Sequence, residues 1–253
     1  MQKTPTVSII MATYNSSGYL MDTINSILEQ SYTDWELLIT DDCSNDGTYR
    51  MLSALTAEHE NIHVWQNKKN SGAAISRNNS IVNAKGRYIA FLDSDDIWHN
   101  KKLELHLQYM QQHQAGLSFT SYELIDENSA PLQKIVDKQD LGWVDYQNLL
   151  KKKATFGCST VIVDTNLTGD FQMPLLRTGQ DYATWLMLIK RVDKALHFPQ
   201  TLTSYRITPG SISRNKFKKA KRQWQIYRQQ EHLNLYNALI NFLFYAYRAV
   251  FRR

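Results

Sequence analysis

Short apolar runs alternate with segments of helical periodicity through the first half of the chain, and this alternation constrains the fold more than any other feature. Val7-Ser8-Ile9-Ile10-Met11-Ala12 reads as a buried strand, and residues 18–31 then place Leu20, Ile24, Ile27 and Leu28 at helical spacing. Trp35-Glu36-Leu37-Leu38-Ile39-Thr40, Ile62-His63-Val64-Trp65 and Arg87-Tyr88-Ile89-Ala90-Phe91-Leu92 read as further strands, with helices over 48–57 and 73–84 between them. A helix over 101–113 and a fifth strand over 116–122 follow. Continuous apolar strands joined by helices predict an α/β fold with a mostly parallel, Rossmann-like sheet covered on both faces. Ligands in such sheets lie beyond the carboxyl ends of the strands.

Beyond residue 125 the rhythm breaks. Residues 126–140 are polar and unpatterned and read as a surface loop; 156–163 and 196–205 read as strands and 180–191 as a helix. The expected organisation is a nucleotide-binding half over 1–125, a smaller half over 126–213 that completes the same site, and a tail over 214–253. With 43% hydrophobic and 21% charged residues, disordered and collagenous classes are excluded. Cys43 and Cys158 form neither a disulfide framework nor a metal-binding pattern, which predicts a reducing, cytoplasmic setting. The first six residues do not read as a signal peptide.

Polar clusters follow the predicted strands. Asp93-Ser94-Asp95-Asp96 puts three carboxylates within four residues, next to an apolar run. Their mutual repulsion is relieved by a divalent cation, and oxygen-only ligands suit Mg²⁺ or Mn²⁺. The same residues also suit a helix cap ahead of Ile97. Asp41-Asp42 with Asp46-Gly47 suits either nucleotide recognition or turn chemistry. Asn70-Ser71-Gly72 opens a helix carrying Arg77, a place that welcomes phosphate, yet it is neither a Walker A loop nor a Gly-x-Gly-x-x-Gly fingerprint. Asp181 follows Gln180 at the start of a helix, as a cap or as a base. No Gly-x-Ser-x-Gly is present, and neither cysteine has a visible histidine partner, so covalent hydrolase chemistry has little support.

Taken in order, Ala12-Thr13-Tyr14-Asn15, Asp41 through Thr48, Asn70-Ser71-Gly72 with Arg77-Asn78, and Lys85 through Asp96 resemble the family 2 glycosyltransferases of the GT-A fold. The resemblance continues through Gln180-Asp181 and Tyr205-Arg206 to Ser211-Ile212-Ser213. With Phe156-Gly157-Cys158-Ser159-Thr160 and the basic 216–222 run, it is most similar to bacterial surface-polysaccharide transferases of the teichuronic-acid type. It implies a nucleotide-sugar site of Ala12, Thr13, Tyr14, Asp42, Arg77, Asp93, Ser94 and Asp95. Asp42 would accept from the uracil N–H, Asp93 and Asp95 would hold Mn²⁺ or Mg²⁺ on the diphosphate, and Asp181 would be the general base. Two positions depart from the family pattern: Gln180 stands where Glu is common, and Thr208 where many members have His.

The implied activity is an inverting transfer from a UDP-sugar to a lipid-linked saccharide in surface polysaccharide synthesis, such as lipopolysaccharide or capsule. A metal neutralises the leaving diphosphate, and one base suffices for a single displacement, unlike the carboxylate pair of a typical glycosidase. A sugar-nucleotide nucleotidyltransferase would show a basic Gly-rich loop after the first strand, which residues 13–18 lack. A non-catalytic membrane-docking protein of the same fold would not need Asp93, Asp95 and Asp181. The tail carries ten Lys/Arg against Glu231 alone, whereas residues 1–213 hold 19 basic and 23 acidic residues. Its second stretch, 233–251, is apolar apart from Asn234, Asn237, Asn241 and Arg248. This predicts a helix lying on the inner membrane face, with that polar stripe in water and Leu235, Leu239, Phe242, Leu243 and Tyr247 in lipid. Lipid is the expected partner rather than nucleic acid. The alternative packs the two tail helices on the catalytic domain or on a second subunit of a homodimer.

Overall fold

The computed structural model describes residues 4–208 and 216–251. Strands and helices alternate through β1 (Val7–Thr13), α1 (Leu20–Leu28), β2 (Trp35–Asp41), α2 (Thr48–Glu58), β3 (Ile62–Gln66), α3 (Ala73–Ile81) and β4 (Tyr88–Phe91). There follow β5 (Ile97–Trp98), α4 (Lys102–Gln112), β6 (Leu117–Ile125), β7 (Pro131–Val136), β8 (Trp143–Asp145), α5 (Tyr146–Leu150), β9 (Val161–Asp164), α6 (Thr165–Thr168), α7 (Gln180–Val192) and β10 (Lys194–Arg206). The tail forms α8 (Lys216–Gln225), one π-helical turn over Ile226–Gln230, and α9 (Leu235–Phe251).

One sheet runs in the order β3-β2-β1-β4-β9-β6-β10-β5, with β7 added to β6 and β8 to β10. β1 lies between β2 and β4, parallel to both, in a register that pairs Val7 with Trp35 and with Tyr88. The chain therefore leaves β1 in two directions, outward to β2 and β3 and back to β4. This switch point opens a crevice at the carboxyl ends of β1 and β4.

Side chains alternate across these central strands, and both faces are covered. Val7, Ile9, Met11, Leu37, Ile39, Ala90 and Leu92 pack in one apolar cluster, and Ile10, Leu38, Ile89 and Phe91 in the other. Burial on both faces is what makes the sequence runs continuously apolar.

Two features go beyond the parallel sheet and surface loop read from the sequence. β9 enters between β4 and β6, antiparallel to both. Val161, Ile162 and Val163 of β9 are fully buried, which is why a late, short segment takes a central place. The stretch expected to be a surface loop contains β7, antiparallel to β6. β7 is exposed nearly throughout, so its backbone pairing leaves no buried-face alternation to be seen in the sequence.

Candidate active site

The strand-end loops are stitched together by hydrogen bonds between the polar clusters. Asn15 N–H donates to Ser44 Oγ (2.8 Å), Asn45 N–H to Asn15 Oδ1 (2.9 Å), and Ser16 N–H to Thr48 Oγ1 (2.9 Å). Ser16 and Ser94 share a hydroxyl–hydroxyl bond of 2.8 Å, joining the loop after β1 to the loop after β4. Thr13 is buried at the end of β1, and its Oγ1 has no hydrogen-bond partner. Ala12 is partly buried one residue earlier, and Tyr14 stands at the rim, 48% exposed.

The adjacent aspartates after β2 have different tasks. Asp41 does turn chemistry: its carboxylate accepts from Ser44 N–H (2.9 Å), Ser44 Oγ (2.5 Å) and Gln66 Nε2 (3.0 Å). Asp42, 4% exposed, accepts instead from Asn67 Nδ2 (2.8 Å) and from the backbone N–H groups of Ser71 and Gly72 (2.7 Å each). It thereby holds the start of α3 against the end of β2. Gly72 sits at φ +94°, and a Cβ there would come within 3.1 Å of Arg177 Nη1. Arg177 covers this loop and donates to Asn70 Oδ1 (3.0 Å).

The loop after β4 is not a helix cap, since the next helix, α4, begins only at Lys102. Asp96 is buried and accepts from Ser159 Oγ (2.5 Å) and Arg206 N–H (2.9 Å). Ser159 Oγ also accepts from Asp93 N–H (3.0 Å), and Arg206 Nε donates to Asp95 C=O (2.7 Å). Asp96, Ser159 and Arg206 therefore fix the loop from behind and leave Asp93 and Asp95 toward the crevice. Sequence reasoning gave Ser159 and Arg206 no role. Both stood in motifs that carry the family resemblance, Phe156 to Thr160 and Tyr205-Arg206, but nothing local in the sequence tied them to Asp96.

Arg77 of α3 reaches across to Asp93, Nη2 to Oδ1 at 2.5 Å. It is almost fully buried, and its Nε and Nη1 have no partner. Burial opposes its charge, but nearby Cys158, Asp93 and Asp181 outweigh that and hold its pKa above the ordinary value. Burial and the Asp93 charge push Asp95 up to about 6. A half-buried carboxylate whose pKa stays raised despite Arg206 and Arg77, beside a second carboxylate, suits a divalent cation with oxygen ligands. Asp93 and Asp95 fit that group, since Mg²⁺ needs only one or two protein carboxylates when phosphate oxygens supply the rest. Among the described residues no cluster of three or more His, Cys, Asp or Glu would hold a metal by itself.

Asp181 is the second residue of α7, whose N-cap is Gly179 in the left-handed region, so Asp181 is not the cap. Burial raises its pKa, while Arg77, the Tyr182 N–H and Arg222 pull it down and Asp93 adds to the rise. Gln180, beside it, is buried with its Oε1 unpartnered. Thr208 lies just past β10, and Ser211 to Ser213 lie outside the described residues. A hollow of about 1080 Å³ sits at the opposite, amino ends of β1 and β4, and none of the candidate residues lines it.

The tail packs on this domain. Ile226 and Tyr227 are buried in the core, Tyr227 Oη donates to Leu150 C=O, and Trp224 meets Phe242 edge to face at 5.6 Å. The polar stripe of α9 does not all face water. Asn241 is buried, and Arg248 Nη1 donates to Lys151 C=O (2.7 Å). Phe242 is turned inward, whereas Leu235, Leu239, Leu243 and Tyr247 are 50–64% exposed. No helix among the described residues is long and apolar enough to cross a membrane.

The sequence model of the family described as Glycosyl transferase family 2 matches residues 8–163, and the chain belongs to this family. It is 43% identical over 249 residues to TuaG of Bacillus subtilis, a glycosyltransferase named for teichuronic acid biosynthesis, with 98% of each chain covered. WfgD of Escherichia coli, named as a UDP-Glc:alpha-D-GlcNAc-diphosphoundecaprenol beta-1,3-glucosyltransferase, is 38% identical over 221 residues, covering 87% of this chain and 84% of WfgD. Among solved structures, S. aureus TarS 1–349 in complex with UDP matches with a TM-score of 0.71 at 20% identity, over 96% of this chain and 71% of TarS 1–349. The fold is the GT-A fold that the motifs imply.

Proposed function

We propose that the chain is an inverting, metal-dependent glycosyltransferase that moves a sugar from a UDP-sugar to a lipid-linked saccharide during synthesis of a bacterial surface polysaccharide. The observation that carries this reading is the convergence of Asp181 with Arg77 and Asp93 in one charged cluster next to Asp95. A proton acceptor with a raised pKa lies close enough to Arg77 and Asp93 to feel their charge, near the carboxylates that suit a metal-bound diphosphate.

Asp181 takes the proton from the acceptor hydroxyl as that oxygen attacks the anomeric carbon. The sugar–phosphate bond breaks on the far side, and a single displacement inverts the centre. A divalent cation on Asp93 and Asp95 would neutralise the departing diphosphate. Arg77 steadies Asp93 and adds positive charge beside the leaving group. Thr13 and Asp42 line the base pocket, with Tyr14 at its rim and Ser94 holding the metal-side loop to Ser16. A UDP complex of TarS and the diphosphoundecaprenol acceptor in the name of WfgD support the choice of donor and acceptor class.

The exposed apolar row on α9 lies against the inner leaflet, placing the enzyme at the cytoplasmic membrane face. Arg248, Lys151 and Lys152 border the row and suit an anionic surface.

A donor screen tests the reading. The protein is incubated with each common sugar nucleotide, a lipid-linked N-acetylglucosamine and Mn²⁺ or Mg²⁺, and nucleotide release and product configuration are read. Release of UDP, with inversion and with loss of turnover in EDTA, is expected. Full turnover in excess EDTA refutes the metal, and a retained configuration refutes the single displacement.

A further inference from the structure

Asp181 feels the charges of Arg77, Asp93 and Arg222. It also lines a cavity of about 190 Å³ whose wall does not include Arg77, Asp93 or Asp95. Lys219 and Arg222 of α8 and Tyr245 of α9 complete the part of its wall that matters here.

The two cations have been brought to this place by close packing. Gly179 sits at φ +75°, and a Cβ there would lie 2.5 Å from Arg222 Cδ and 3.0 Å from Ile226 Cδ1. The Arg222 and Ile226 side chains thus lie against the start of α7, and the positive φ itself favours glycine there. Neither Lys219 nor Arg222 makes an ion pair among the described residues, and Arg222 Nε is buried without a hydrogen-bond partner. Burial and Arg222 lower the Lys219 pKa, against the pull of Asp181. Two cations facing one carboxylate leave a surplus of positive charge and unused donors.

We infer that Lys219 and Arg222 bind the diphosphate of the acceptor, with the acceptor sugar lying between them and Asp181. This deepens the reading above and rests on it. A saccharide whose ring is carried directly on a diphosphate holds its attacking hydroxyl one ring's width from that diphosphate. The base and the anion site must then be neighbours, as Asp181 and this pair of cations are. A guanidinium fork matches phosphate oxygens bidentately, and an ammonium adds a point charge. The donor diphosphate would have its own partners in Arg77 and in a divalent cation held by Asp93 and Asp95. Tyr245 belongs to α9, whose outer face is the exposed apolar row, so the lipid chain of the acceptor leaves the cavity toward the helix that meets the membrane.

Binding of two probes tests this. Both carry N-acetylglucosamine; in one it is joined through a diphosphate to a short alkyl chain, and the other is the plain alkyl glycoside. UDP affinity is measured in parallel. The wild-type protein should prefer the diphosphate probe by about tenfold or more. Lys219→Gln should erode that preference, and Lys219→Gln with Arg222→Gln should abolish it, while UDP affinity stays unchanged. Because Arg222 packs on Gly179, Lys219→Gln alone decides the matter if the double variant does not fold. An intact preference in Lys219→Gln overturns the inference. So does a fall in UDP affinity in step with the probe, which would give these cations to the donor. Failure of the underlying reading looks different: the wild-type protein would then release no UDP from any UDP-sugar with either acceptor.

Discussion

Asp42→Asn separates a residue that touches a ligand from one that builds the pocket. The free protein already spends the Asp42 carboxylate on three donors, Asn67 Nδ2 and the Ser71 and Gly72 N–H groups, at 2.7–2.8 Å. The group is 4% exposed, so water cannot replace a lost partner. Asparagine keeps one acceptor oxygen and turns an NH₂ toward backbone N–H groups that also donate. At least one charge-assisted bond is lost outright, at about 1.5–3 kcal/mol, and the others lose their charge, so a total cost of about 3 kcal/mol is expected. At about 2–4 °C per kcal/mol for a chain of this size, the midpoint of thermal unfolding should fall by about 6–12 °C without any ligand present. UDP affinity, read by calorimetry, should fall as well. Tyr14→Ala is the control: Tyr14 is exposed, and its loss should leave the free protein within about 0.5 kcal/mol of wild type. If free Asp42→Asn melts like wild type while UDP binding is lost, Asp42 contacts only the base and does not hold the loop.

Asp181→Asn keeps the shape of the proposed base but cannot take a proton; it should lower turnover by about a hundredfold or more and leave UDP binding nearly intact, and near-wild-type turnover would move the role elsewhere. Lys102 is fully buried over the Trp98 ring, with its Nζ unpartnered, and burial lowers its pKa from 10.5 to about 7. The unfolded chain therefore binds the proton more tightly, and stability rises with pH between about 7 and 10.5. Lys102→Met should raise stability by a few kcal/mol below pH 7, at about 1.4 kcal/mol per pH unit of that gap, and by progressively less toward pH 10; denaturant titrations at pH 6 and pH 9.5 showing equal gains would refute the assignment. For the membrane contact, full-length protein should float with anionic liposomes and be partly released by salt, whereas Leu239→Glu with Leu243→Glu should stay in the soluble fraction with an unchanged midpoint of unfolding; flotation of that variant would refute docking through α9.

The strands β1 to β4 were legible because burial on both faces leaves unbroken apolar runs, and the polar clusters fell where such runs end. What the sequence left open was which carboxylate does what. Asp41 and Asp42 are neighbours of one chemistry, and only the arrival of Ser71 and Gly72 at Asp42, and of Ser44 and Gln66 at Asp41, separates them. In Asp93-Ser94-Asp95-Asp96 the cap reading fails, and the buried aspartate is explained by Arg206, 110 residues away in the chain. Pairings at that separation leave no local pattern. The insertion of β9 beside β4 is hidden for the same reason.

The tail shows a further limit, and it bears on function. Helical periodicity identifies a face but not what the face meets. A stripe of Asn and Arg on α9 was expected to turn to water; Asn241 is instead buried, bonding back to Asn237 C=O of its own helix, and Arg248 turns to the domain and donates to Lys151 C=O. The apolar residues beside them are left exposed. The basic run of α8 was likewise expected to face a membrane, yet Lys219 and Arg222 line the cavity that opens on Asp181. A segment read as an appendage thus supplies one wall of the cavity that Asp181 lines. Removing it would take Ile226 and Tyr227 out of the core and two cations from beside the proposed base. For this chain, membrane contact and acceptor recognition are best tested by single side chains on α8 and α9, because deletion of the tail would disturb both together with the core.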